Sequence, residues 1–546
     1  MLLYTLDKEV KHSMKYQACE YLNYLDIMKK YNTNELVAKV IASKHLSIEQ
    51  MNQLFVVPKL SDPMLVTGIK QIVDRLHQAL LKQEQILVCG DYDADGICAT
   101  SIIVKALKQY GLTCGYYIPN RFKEGYGLNE QTVHLAKEKG YKILLTVDNG
   151  VKSLKAASLC KSLGMGLIIS DHHSYDEIPP CDYFLHPTLM QPLFQSMSGA
   201  GVALLLSRAL IGEDKLSIIL AGIATIGDVM PLWDENRSIV RLAIEYLKEG
   251  NALPIQKLVK HDAEWNETLI AFQVVPKLNA TGRLSDIANA NMTVRYLLSE
   301  NESEIMKCSK QINDLNELRK IKSEEMNRKA YTMVKEEYPF QVIYDADFHE
   351  GLLGIVAGKL SENLNRPVMV LTRKDKQLKG SIRARGDLDL TSFFEPCIDL
   401  FDAYGGHKSA AGISIDLDNF KTMRSYINET MKQITIHDDL ILDYIPLTVS
   451  ELNIQNIASL SMLSPFGQGF SQPLFSIKAS DDMVLKSMSQ GKHLKWSNDM
   501  IDLLYFNQGQ QLNKLKMKQD FCFIGTLSLN QFANRIHINM IVQDLI

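Results

Sequence analysis

Aspartate and histidine side chains able to hold a metal ion fall in four short runs: DYDADG at 91–96, VDNG at 147–150, SDHH at 170–173 and GDVMPL at 227–232. Asp91, Asp93 and Asp95 lie within five residues, and carboxylates this close repel one another unless a cation or a set of backbone donors holds them. A turn accounts for the same run innocently, since Asp and Gly are ordinary turn residues. Aspartate with histidine suits Mn²⁺ or Mg²⁺, carboxylates supplying most ligands and imidazole favouring Mn²⁺. Such a site lowers the pKa of a bound water and holds a phosphoryl oxygen, as metal-assisted hydrolysis requires. Each run is weak evidence alone, because DxDxDG is shared with calcium loops and an HH pair is common on surfaces and in cores. An EF-hand is excluded, since no glutamate ends the loop and an apolar run with strand character precedes it.

The elements around these runs must bring them together. QILVCGD, TCGYYIPN, KILLTVDNG and GLIISDHH alternate with the helical patterns ICATSIIVKALKQYG, NEQTVHLAKEKG and LKAASLCKSLG. Strands and helices alternating at this length predict βαβ units and a parallel sheet. In that register Asp91, Asp93, Asp95, Asp148, Asp171, His172 and His173 each follow the carboxyl end of a buried strand, where open α/β sheets place their ligand crevice. A further apolar helix, LSIILAGIATIG, delivers Asp228. Residues 300–337 read as a long, solvated connecting helix. Strands at QVIYDAD, PVMVLT and LKGSIRA follow, then the glycine-rich GGHKSAAGIS at 405–414, and a β-rich tail predicts a small barrel. The predicted fold class is therefore α/β. A helical lead-in (1–75) precedes a parallel-sheet domain (76–299), the connecting helix (300–337), a smaller α/β domain (338–435) and a β-barrel (436–546).

At 546 residues the chain is too long for one core. A hydrophobic content of 46% and a charged content of 22% are ordinary for a soluble globular protein. The net charge of −4 gives no global sign of a nucleic-acid partner, though it leaves room for a basic groove. Nine scattered cysteines without a CxxC pair argue against a disulfide framework and a zinc ribbon. The N-terminal residues lack a signal-peptide pattern and no apolar stretch is long enough to cross a bilayer, so the expectation is a cytoplasmic protein with no membrane partner.

In their order, DYDADG, VDNG, SDHH and GDVMPL resemble the four motifs of the DHH phosphoesterases. PNRFKEGYGLN (119–129), PKLNATGRLSD (276–286), FHEGLLGIVAGKL (348–360), KGSIRA (379–384) and GGHKSAAG (405–412) are similar to further motifs of that family's single-stranded-DNA-specific 5′→3′ exonucleases. LSPFGQGFSQPLF (463–475), GKHLKW (491–496) and LSLNQF (527–532) resemble the OB-fold of the same branch, so the likeness runs from about residue 58 to the end. It implies a parallel-sheet DHH domain, a DHHA1 domain and an OB-fold domain.

The resemblance further implies that Asp93, Asp95, Asp148, His172, His173 and Asp228 form the catalytic set. All but His173 ligate Mn²⁺ or Mg²⁺, and His173 stands beside the metal as an outer ligand or a donor to the phosphate. Asp91 and Asp171 become supporting residues, and for Asp91 a plain turn role fits equally well. Arg121, Ser381 and Arg383 would form a 5′-phosphate pocket, Arg283 would hold a backbone phosphate, and Arg forks suit phosphate. His407 in GGHKSAAG is a phosphate contact by the same likeness, whereas the run alone reads as a helix-entry glycine turn.

Two positions depart from the family pattern. Cys89 stands where relatives with two tightly bound metals often carry histidine, which points to one firm and one weaker metal, with Cys89 itself a core residue. Ala384 follows Arg383 where a serine is common. In the barrel, His493, Lys495, Trp496, Tyr505 and Phe506 either stack on bases or fill the interior. Lys514, Lys516 and Lys518 form a period-two basic run. The implied function is exonucleolytic degradation of single-stranded DNA, 5′→3′, to mononucleotides in repair and recombination, by a monomer supplied by a single-strand-binding protein and a helicase. An alternative is a DHH phosphodiesterase acting on short RNA or cyclic dinucleotides, against which the OB-like tail and PNRFKEGYG both speak. A degenerate DNA-end-binding protein is opposed by the intact acidic set.

Overall fold

The computed structural model describes residues 15–261, 263–437, 441–448, 451–480, 482–516, 521–532 and 535–546. Lys518 and the side chains of Lys514 and Lys516 lie outside the described residues. The chain forms two compact units. The larger holds residues 17–282, 288–312 and 443–546, and the smaller holds 283–287, 313–442 and the described residues before 17.

In the larger unit five parallel strands run in the order Cys114–Tyr117, Ile86–Cys89, Ile143–Val147, Gly166–Ser170, Tyr183–Leu185. The central strands are apolar and buried nearly throughout, as a sheet covered on both faces demands. Alternate side chains serve opposite cores: Ile86, Val88 and Leu145 enter one, Leu87, Cys89 and Leu144 the other. Cys89 is thus a core residue, and burial pushes its thiol far up. Helix Ala94–Tyr110 starts at the Asp93 cap, whose Oδ1 accepts from the Gly96 N–H at 3.0 Å, and stops at Gly111 with φ 97°. Helices Gly199–Ile211 and Lys215–Gly227 pack beside it in the first core and are apolar over most of their surface.

The same unit contains the barrel-like sheet, an eight-stranded linear order from Lys15–Ala18 through Ile441–Pro446, Leu474–Lys478, Cys522–Phe532, Arg535–Leu545, Ile501–Tyr505 and His493–Ser497 to Val484–Met488. The early helices Glu35–Ser43 and Ile48–Phe55 belong to its core. Leu36, Val37, Val40, Ile41 and Leu54 pack with Ile445, Phe475, Trp496 and Met540. Asn34 Nδ2 donates to Asn456 Oδ1 and Ser459 Oγ, and Lys39 pairs with Glu451 at 2.8 Å.

The smaller unit is built on a five-stranded sheet, Phe401–His407, Ala410–Asp416, Gln377–Arg383, Val368–Lys374, Gln341–Tyr344, antiparallel except for its last pair. GGHKSAAG is the turn of the Phe401–His407 and Ala410–Asp416 hairpin, so the helix-entry reading is overturned. The glycines allow the strands to close, since a Cβ on Gly406 would lie 2.3 Å from the Ala410 carbonyl. The long helix is Glu302–Tyr331, anchored by Ile305, Ile312, Met326 and Ala330 on an otherwise charged surface.

Candidate metal centre

Each acidic run is held by backbone chemistry that leaves carboxylate oxygens aimed at a common point. Asp95 accepts from the Gly199 and Ala200 N–H groups at 2.7 Å each, where helix Gly199–Ile211 presents its free amides. Ala94 N–H donates to Asn279 Oδ1 at 2.8 Å, fixing the loop from the other side. Asp148 adopts φ 59°, a left-handed conformation that costs a non-glycine residue energy and must be enforced by its surroundings. The next residue enforces it: Asn149 Nδ2 donates to the Cys89 and Val147 carbonyls, and its Oδ1 accepts from Leu128 N–H. Gly199 admits the Asp148 side chain, because a Cβ there would lie 2.5 Å from Asp148 Oδ1.

His172 and His173 are oriented by Asp171. Its Oδ1 accepts from the backbone N–H groups of both histidines and pairs with His173 Nδ1 at 2.8 Å, and its Oδ2 accepts from Val151 N–H. His172 Nε2 then stands 3.2 Å from Asp148, 3.6 Å from Asp228 and 3.7 Å from Asp95. Tyr126 OH donates to the Asp148 carbonyl at 3.1 Å and lies 3.3 Å from His173 Nδ1.

Three groups of ligand-capable atoms result, within 4.8 Å of one another in each: Asp148 with His172 and His173, Asp95 with His172 and Asp228, and Asp91 with Asp93 and Asp148. Burial, and after it mutual repulsion, pushes the carboxyls of Asp91 and Asp148 far up and that of Asp228 to about 8. Asp95 is raised chiefly by burial, and burial lowers His172. His173 moves the other way, up to about 9: burial opposes the shift, but the hydrogen bond to Asp171 and the attraction of Asp171, Asp228 and Asp93 together outweigh it. Asp91 Oδ1 and Asp148 Oδ1 are buried and accept no hydrogen bond among the described residues. Buried carboxylate oxygens without donors, facing like charges and one imidazole, fit a hard divalent cation such as Mn²⁺ or Mg²⁺.

The predicted residues therefore divide. Asp91, Asp93, Asp95, Asp148, His172, His173 and Asp228 come together, with Asp171 behind them as a support. Arg121 is half-buried in the loop after Cys114–Tyr117, its guanidinium 5.1 Å from the Tyr92 ring centre. Arg283, Ser381, Arg383 and His407 belong to the smaller unit. There Arg383 Nη1 donates to Ser381 Oγ at 3.1 Å from the same face of one strand. Burial pushes the Arg383 guanidinium down, and no carboxylate pairs with it among the described residues. Gly354 gives it room, since a Cβ there would lie 3.1 Å from Nη2. Arg283 ends helix Val275–Arg283, and exposed His407 accepts from Ser409 at the hairpin turn.

In the barrel, Trp496 and Tyr505 are 4% exposed and fill the core, which removes them as stacking platforms. Strand alternation explains it: Leu494 and Trp496 point inward while His493 and Lys495 point out. Phe506, 43% exposed, remains beside His493 at 5.2 Å between ring centres, and Lys495 pairs with Asp502 at 2.8 Å. Asn149, Gly199, Ala200, Asn279 and Tyr126 were not singled out from sequence. The run SGAG at 198–201, opening an apolar helix, was the available signal for two of them.

Carboxylates and imidazoles gathered at the carboxyl rim of a parallel sheet are the arrangement of a DHH phosphoesterase, and residues 85–227 match the DHH family, N-terminal domain. Residues 337–433 match the DHHA1 domain and 445–544 the RecJ OB domain. The single-stranded-DNA-specific exonuclease RecJ of Bacillus subtilis (strain 168) is 33% identical over 545 residues, spanning 95% of this chain and 69% of that protein. The same-named protein of Escherichia coli (strain K12) is 27% identical over 527 residues, 88% and 90% of the two chains. The crystal structure of RecJ in complex with Mn²⁺ from Thermus thermophilus matches with a TM-score of 0.85 at 25% identity, covering 97% of this chain and 79% of that one. The chain belongs to the RecJ family of single-stranded-DNA-specific exonucleases. Among the described residues no helix is long and apolar enough to cross a membrane.

Proposed function

We propose that the chain hydrolyses single-stranded DNA from the 5′ end to mononucleotides, with Mn²⁺ or Mg²⁺ held by Asp93, Asp95, Asp148, His172 and Asp228. The observation that carries this reading is the set of buried, donor-less carboxylate oxygens converging with His172. When bound, the ion supplies Lewis acidity at the phosphoryl group and activates water. The chain's own residues do the rest. His173, charged through its pairing with Asp171, offers the Nε2 proton to a phosphoryl oxygen. Asp171 holds that ring in place, and Asp91 adds a further unpaired oxygen to the cluster.

Arg383 with Ser381 is assigned to the terminal 5′ phosphate, because a half-buried guanidinium that pairs with no carboxylate among the described residues calls for an external anion. Arg121, Arg283 and His407 are assigned to further phosphates of the strand. Domain boundaries at 76–299, 338–435 and 436–546 belong to the same reading, with residues 36–54 added to the barrel's core. Single-strand-binding protein and a helicase remain the natural suppliers of substrate.

End-labelled single strands, blunt duplex and a short RNA, digested side by side, test substrate, polarity and product length together. Mononucleotides released from the 5′ end of the single strand alone are expected. Cleavage of the RNA in preference, or release from the 3′ end, would overturn the proposal.

A further inference from the structure

Residues 463–470, which lead into the barrel, are gripped by the segment that follows Asp228. Arg237, 2% exposed, donates to three successive carbonyls: Nη2 to Leu463 at 2.7 Å and Ser464 at 3.2 Å, Nη1 to Pro465 at 3.2 Å. Its guanidinium lies 5.6 Å from the Trp233 ring centre and 5.5 Å from that of Phe470. Trp233 Nε1 donates to the Gly469 carbonyl and Leu232 N–H to the Gln468 carbonyl, both at 2.9 Å. Only residues 229–231 separate this clamp from Asp228, and Val229 among them holds φ 55°. A β-branched residue keeps that conformation only where its surroundings over-determine it.

The same lead-in touches a second arm of the centre. Glu267 accepts from Ser464 Oγ at 2.7 Å and Phe466 N–H at 3.1 Å. The helical run it begins passes through Ile270–Val274 to Val275–Arg283, where Asn279 bonds Ala94 N–H. Gly282 closes against the same loop, since a Cβ there would lie 2.3 Å from the Tyr92 carbonyl. One strip of barrel sequence is therefore tied to the loop that carries Asp228 and to the helix that braces Asp93 and Asp95. A charged side chain whose hydrogen bonds all go to carbonyls is a costly way to fill a core, and its geometry fixes three backbone positions at once.

We propose that Arg237 and Trp233 are positioning residues that, by clamping residues 463–470, hold Asp228 at ligand distance from the other carboxylates, so that seating of the barrel sets the metal affinity of the centre. This rests on the metal reading above. The test is calorimetric titration of the full-length chain with Mn²⁺ alone, well below its melting temperature.

Arg237→Met keeps the aliphatic stem and should weaken Mn²⁺ binding about tenfold, the low end of what outer orienting groups contribute. Arg237→Lys should recover part of that loss. Trp233→Phe removes one donor and should weaken binding about threefold by the same logic. In the digestion assay kcat should fall while KM for the oligonucleotide stays. Lys39→Met, which cuts the ion pair between an N-terminal helix and Glu451, should leave Mn²⁺ binding unchanged. If Arg237→Met fails to fold, Trp233→Phe decides. Wild-type Mn²⁺ affinity in the folded clamp variants overturns the proposal. Wild-type affinity in Asp148→Ala overturns the metal reading itself, and the positioning role with it.

Discussion

The two five-stranded sheets gather functional side chains by different routes. In the five-stranded sheet of the larger unit every strand is parallel, so residues far apart in sequence (Asp95, Asp148, His172) arrive at one rim because each follows the same end of a strand. In the smaller unit Ser381 and Arg383 stand two positions apart on one strand of a mostly antiparallel sheet and share a face by alternation alone. The first constellation depends on the whole topology and concentrates negative charge. The second is local and leaves a half-buried positive charge with no carboxylate partner among the described residues. Each is incomplete in the opposite sense, one wanting a cation and the other an anion.

The sharpest way to break this contrast is at the rim. Asp148→Ala should lower the rate of nucleotide release by about 10³-fold or more while oligonucleotide binding remains measurable, and chelation of the wild type should do the same until Mn²⁺ is returned. Release at wild-type rates from that variant would remove the rim from catalysis. Next comes the local pair. Arg383→Met should cost about 100-fold in kcat/KM on a 5′-phosphorylated strand, the worth of a charge-assisted pair of roughly 2–3 kcal/mol, and far less on a 5′-hydroxyl strand. Equal losses on both substrates would show that Arg383 does not read the terminal phosphate.

The barrel offers a smaller contrast between inward and outward positions. Phe506→Ala should weaken single-strand binding by about 1–3 kcal/mol without moving the melting temperature. Trp496→Ala should cost about 3–5 kcal/mol of stability instead, read in denaturant midpoints. Cys89→Ala should have the least effect, about 1–2 kcal/mol of stability with Mn²⁺ affinity untouched. A shift in that affinity would mean that the thiol's strand position matters to the metal after all.

The rim was legible in the sequence because apolar runs of strand length, each ending in Asp or His, carry their own geometry. The braces behind it were not. Asn149, Gly199 and Asn279 act through backbone groups of distant segments, and nothing in their local pattern names the partner. Aromatic identity alone left stacking and interior filling both open for Trp496, and the alternation of its strand decides for the interior. The hairpin at 401–416 was obscured by its glycines, which serve strand closure as readily as a helix entry. The docking of residues 36–54 on the barrel left no local trace, since its partners lie at the far end of the chain.

That docking also sets a schedule for synthesis. Asn34 and its partner Asn456 are separated by 422 positions. At about 5–20 residues per second a ribosome needs roughly 20–80 s to make the intervening chain. Throughout that interval Leu36, Val37, Val40, Ile41 and Leu54 lack the surface that finally covers them. These helices are thus made long before they are buried, and their apolar faces are what a chaperone would meet on the nascent chain.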